Sequence, residues 1–132
     1  MNITSSVTKS AGTAITGIGA AINNSGSIAV DSGQLNFSYS YSQTPSGTLE
    51  VKIGGDADFD TFPVANAAAL DGNLNIILTG GYEPTLDKTF EIMTAPSVTG
   101  QFSVVNGTAI VAGRKFDVLY TANNVTLKVV SD

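Results

Sequence analysis

Three carboxylates fall at alternate positions in GGDADFD: Asp56, Asp58 and Asp60. On a strand, alternate residues share one face. Three like charges repel there, and a hard cation such as calcium, which takes several oxygens from a tight loop, relieves them. Counted from Asp56, the loop is not an EF-hand, because Thr61 stands at the sixth position and Ala67 at the twelfth. The plainer reading is solvated turn carboxylates that discourage edge pairing, and it is the favoured one. Catalysis has little to work with. The chain has no His and no Cys, so the usual neutral-pH base and the thiol nucleophile are both missing. Glu50, Glu83 or Glu91 could serve as the acid of a glycosidase. Each sits at a polar position beside apolar neighbours, and no Trp is present to stack on a sugar ring. The expectation is a protein that is not an enzyme.

Two tyrosines in SYSYS, Tyr39 and Tyr41, continue the alternation from Phe37. Exposed, such a stripe could bind a polysaccharide or a protein; the favoured alternative is a buried face. The glycine pairs at 54–55 and 80–81 are not a phosphate cradle, because neither opens a helix or carries the expected Lys.

Composition narrows the partners. The net charge is −5, and Lys9, Lys52, Lys88, Arg114, Lys115 and Lys128 are scattered. Nucleic acid needs clustered cations to displace counterions, so it is not an expected partner, and an anionic membrane is disfavoured for the same reason. Hydrophobic residues make up 42% of the chain, enough for a core, while charged residues are only 13%. Without Cys there is no disulfide framework. No apolar run is long enough to span a membrane as a helix. The first residues lack the basic and apolar regions of a signal peptide, so an export signal, for a secreted protein, is expected to lie outside these residues.

The elements that must position these groups are strands. Apolar residues alternate through Ile28 and Val30, Leu35 and Phe37, Leu49 to Ile53, Leu74 to Leu78, Phe90 and Ile92, Phe102 and Val104, Phe116 to Tyr120, and Val125 to Val129. Turn formers separate them, among them NNSG (23–26), DSG (31–33), TPSG (44–47), DGN (71–73) and GGYEP (80–84). Only PVANAAAL (63–70) has a helix-friendly composition. The fold class is therefore all-β with many short strands, either a right-handed β-solenoid or a short β-sandwich. A turn glycine followed by an alternating strand recurs in GSIAV (26–30), GQLNF (33–37), GTLEV (47–51) and GNLNI (72–76), which stacked rungs would produce at irregular spacing. Residues 1–24 are rich in Gly, Ala and Thr and have no aromatic residue. They read as a separate N-terminal segment, a rung or a self-association strand, ahead of a solenoid-like domain over 25–132.

From about Ser46 onward the order of elements resembles the C-terminal β-solenoid, stalk or cap, of bacterial autotransporter-like and filamentous-adhesin-like surface proteins. The resemblance rests on Gly47 and Leu49, Asp60, Leu70, Gly72 and Leu74, Gly81-Tyr82 and Pro84, Phe90 and Ile92, Gly100 and Phe102, then Tyr120, Asn123 or Asn124, Val125 and Leu127. It implies a non-catalytic extracellular or cell-surface module that caps or builds a stalk or filament. Its partners would be neighbouring rungs, copies of itself, and a glycan or host surface. In that frame GGYEPTLDKT is a turn between two rungs. The alternative is a calcium- or carbohydrate-binding β-sandwich lectin module, resting on the Asp56, Asp58 and Asp60 cluster and the Tyr39 and Tyr41 stripe. No cofactor is expected other than that calcium.

Overall fold

The computed structural model describes residues 2–4, 6–9, 15–30, 34–110 and 113–131, and every regular element among them is a strand. The turn expected at Asp31-Ser32-Gly33 lies outside the described residues. In chain order the strands are β1 (Asn2–Ile3), β2 (Ser6–Lys9), β3 (Ile15–Ile18), β4 (Ile22–Asn24), β5 (Ser27–Val30), β6 (Gln34–Phe37), β7 (Tyr41–Gln43), β8 (Thr48–Ile53) and β9 (Phe62–Pro63). There follow β10 (Ala67–Leu70), β11 (Asn73–Leu78), β12 (Thr89–Thr94), β13 (Ser97–Gly100), β14 (Val104–Asn106), β15 (Ala109–Ile110), β16 (Arg114–Tyr120) and β17 (Asn124–Ser131).

Their pairing is that of a solenoid with three strands per coil. One face runs β1-β4-β7-β10-β13 and the second β2-β5-β8-β11-β14, so each strand neighbours the strand three later in sequence. All these pairs are parallel. A sandwich of antiparallel hairpins is not what forms. Along the second face one ladder joins positions 6, 27, 48, 73 and 104, so the coils lengthen toward the C-terminus. The turn glycines Gly26, Gly47 and Gly72 each precede a rung of this ladder, so three of the four repeated motifs stack in register. The fourth, GQLNF, supplies β6 on the third face, paired with β3.

Alternation explains why these segments are strands. In β8, Leu49, Val51 and Ile53 point inward and are fully buried, with partly exposed residues between them. Ile28, Leu49, Leu74 and Val105 form one interior column across four coils. Every fully buried aliphatic of this kind contributes roughly 1.5–3 kcal/mol relative to exposure. The helix-friendly stretch is not helical: its first residue, Pro63, ends β9 and its last four form strand β10. Parallel partners on both sides satisfy its backbone, and Ala68 and Leu70 fill the inward positions, so tertiary pairing overrides propensity. Of the N-terminal segment, the described strands β1 to β3 belong to the first coil and β4 opens the second. The boundary placed at residue 24 therefore falls between β4 and β5, inside a coil.

The C-terminal end is built differently. On the third face β12 pairs in parallel with β9 but antiparallel with β17, which in turn pairs antiparallel with β16. Val125, Leu127 and Val129 of β17 are buried, and Phe116 of β16 reaches the Phe90 ring at 6.1 Å between centroids. At the hairpin tip the carbonyls of Ala122 and Asn123 accept the amides of Val98 and Ala95 at 2.9 and 3.0 Å. The hairpin thus covers the end of the apolar interior.

Candidate functional site

The two longest corner segments leave the stack at the same corner, between the second and third faces: residues 54–61 after β8 and 79–88 after β11. GGYEPTLDKT therefore links two faces of one coil and does not pass from one coil to the next. The first segment closes as a tight turn, with the amides of Gly54 and Gly55 both donating to the Asp58 carbonyl at 2.8 and 3.1 Å. Tyr82 from the second segment donates its hydroxyl to the Asp56 carboxylate, and Lys88 lies 3.8 Å from the same carboxylate. Burial and the bond to Asp56 push the Tyr82 phenol up to about 12.

This arrangement separates the three aspartates. Asp56 is exposed and tied to the neighbouring segment, and Asp58 is exposed at its turn. Asp60 is buried, its carboxylate accepting the Lys52 amide at 2.9 Å. Burial raises its pKa to about 6, against the Lys52 amide and charge, and Asp58 and Glu50 push it further up. Among the described residues no three acidic side chains gather closely enough to hold a metal ion. The three carboxylates point apart because the chain turns back within the segment, so strand alternation does not apply to it.

The tyrosine stripe is broken in the same way. Strand β6 ends at Phe37, the chain bends through Ser38 and Tyr39, and β7 begins at Tyr41. Tyr39 is 52% exposed, whereas Tyr41 is 0% exposed and its ring stacks on Phe37 at 4.7 Å. Burial raises the Tyr41 phenol far above its ordinary range.

Tyr41 belongs to a polar column inside one corner of the stack. Its hydroxyl accepts the Asn24 amide at 3.1 Å and donates to Gln43 Oε1 at 2.5 Å. Asn24 also donates to the Thr48 carbonyl and accepts the Gly26 amide. Gln43 Nε2 donates to the carbonyls of Asp71 and Asn73 at 2.7 and 2.9 Å. The column bridges the second, third and fourth coils, and Asn24 and Gln43, opposite each other in the ladder, are both buried.

The third face carries a groove that the sequence did not announce. The Leu35 amide donates to the Thr61 carbonyl at 3.4 Å, and the Ala65 amide to the Phe37 carbonyl at 2.9 Å. Between these anchors β6 advances from 35 to 37 while its neighbour advances from 61 to 65. Phe62 turns inward and is fully buried, and Pro63, which has no amide hydrogen, cannot continue a ladder toward β6. Two adjoining depressions of about 220 and 290 Å³ result, both walled by Pro63. Along one wall Thr61 donates its hydroxyl to Gln34 Oε1 at 3.0 Å, and Gln34 Nε2 donates to Asn36 Oδ1 at 2.6 Å. On the other, Glu91 accepts Asn124 Nδ2 at 2.9 Å. Of the three glutamates considered as acids, only Glu91 lines this groove, and no second carboxylate faces it there.

No family model matches this chain, and no curated protein matches it. Among the described residues no helix is long and apolar enough to cross a membrane.

Proposed function

We propose that the chain is a non-catalytic structural and adhesive module of a cell-surface protein, forming the capped end or a building unit of a stalk or filament. The observation that carries this reading is the hairpin β16–β17, which turns the third sheet from parallel to antiparallel and covers the end of the core. A stack of parallel coils presents unpaired strand edges that template further strands, and the hairpin ends the parallel order on the third of the three faces, while β13 and β14 stay terminal in the other two sheets among the described residues. The resemblance of residues 46 onward to autotransporter-like and filamentous-adhesin-like stalks supports the same reading, as does the lack of His and Cys. The low charge content suits an extracellular surface of Ser, Thr and Asn. Sedimentation velocity of the whole chain and of Phe116→Asp tests it, with circular dichroism confirming that the variant keeps its strands. A discrete wild-type species beside an assembling variant identifies a cap, and polymers of the unaltered chain identify a building unit. A folded variant that sediments like a discrete wild type overturns the capping role.

A further inference from the structure

We propose that the groove on the third face binds a neutral, extended oligosaccharide. It runs along the strand direction from Gln34 to Phe37, about 10 Å at the usual strand rise of about 3.3 Å per residue, so its occupant is a short linear chain and not a compact ring. Each depression is smaller than a typical small-ligand pocket and open to solvent, so an occupant lies along the surface and is not enclosed. Their polar groups are the types that recognise hydroxyls. The relay from Thr61 through Gln34 fixes the Asn36 amide by its oxygen, leaving the Asn36 amide nitrogen without a partner among the described residues. A chain of bonds polarised in one direction strengthens the donor at its end. In the depression that Gln34 lines, Glu91 accepts Asn124 Nδ2 on one oxygen and keeps its second as an acceptor. Gln34 and Glu91 line one depression and Asn36 the next, so amide donors and a carboxylate acceptor follow one another along the groove, as the mixed donor and acceptor character of sugar hydroxyls requires.

Charge selects among the sugars. No Lys or Arg lines either depression, and the one charged group there is negative, so a uronic or sulfated chain is repelled. Pro63, Val64 and Ala65 supply an apolar strip for the sugar's C–H face. The groove is separate from the tyrosine pair and from the corner aspartates, and the proposal does not depend on the capping role.

The test is a two-dimensional NMR titration of the ¹⁵N-labelled full chain with cellotetraose, chitotetraose and, as the anionic contrast, tetragalacturonate. At least one neutral probe is expected to give saturable shifts confined to the amides of 34–38, 61–65 and 91–94. Gln34→Ala and Asn36→Ala, each checked for an intact dispersed spectrum, are expected to weaken that binding about tenfold, the scale of a lost hydrogen bond or two. The proposal is overturned if neither neutral probe gives saturable shifts in these segments, if tetragalacturonate binds more tightly, or if folded variants bind as the wild type does. The probe titration alone decides the matter where a variant fails to fold.

Discussion

Asp60 joins the acidic corner to the strand beneath it, and its protonation is linked to folding. Below the free-aspartate value near 3.8 both the native and the unfolded chain hold the proton. Between there and about 6 the native state keeps a proton that the unfolded chain has released. Stability therefore falls as pH rises through that window, and the deficit is constant above it. Asp60→Asn keeps an acceptor for the Lys52 amide but cannot ionise. Relative to wild type it is expected to gain on the order of 1–3 kcal/mol between pH 4 and pH 7, measured by urea unfolding at both values. Gln43 makes the opposite case, because its partners are two backbone carbonyls and a buried hydroxyl that cannot turn elsewhere. Gln43→Ala leaves the Asp71 and Asn73 carbonyls and the Tyr41 hydroxyl short of partners, and is expected to lose about 2–4 kcal/mol. Gln43→Leu should do no better, since filling the volume does not restore the bonds.

The corners show how closely packed the elements are. Gly72 has a φ of +67°, and a Cβ there would strike the carbonyl oxygens of Gly47 and Thr44 in the coil above. Gly80 has a similar φ of +63° but open space around it. Gly72→Ala is expected to destabilise by about 3 kcal/mol or more and Gly80→Ala by only about 1 kcal/mol. Equal losses in thermal unfolding would show that the stacked corner is not the constraint. What the sequence revealed follows from the same contrast. Strands such as β8, β11 and β17 were legible because every second residue is a large aliphatic. Strand β10 was not, since alanines carry no β signal and its evidence lies in partners far along the chain, Tyr41 and Val98 among them. The bend between β6 and β7 is not legible in the sequence because Ser38, Tyr39 and Ser40 include no Gly or Pro, and the alternation of residue types continues through it. The groove was hidden for a different reason. It arises from a mismatch in advance between two strands, and Glu91 meets Asn124 across a hairpin whose register the sequence does not reveal.

At the scale of the whole molecule, stability is expected to be a sum over coils and their contacts with neighbours. Leu74 is fully buried in the central interior column, and Leu74→Asp places an unpaired charge there at a cost of several kcal/mol. No soluble folded protein is expected, and a normal melting curve would refute the interior assignment. Hydrogen exchange should be slowest in β8, β11, β12 and β17, where long ladders run between paired strands on both sides. It should be faster in β1 and β2, each paired on one side only among the described residues. Stacked strands with the same alternation face a counting problem, because a slip of two residues still turns aliphatic side chains inward. The column of Asn24, Tyr41 and Gln43 does not share that tolerance. Shifted by two residues, Gln43 would lie opposite Ile22 or Gly26 in place of Asn24 and the column's hydrogen bonds would be lost, so the column acts as a key cut into one corner, admitting a single alignment of the second, third and fourth coils.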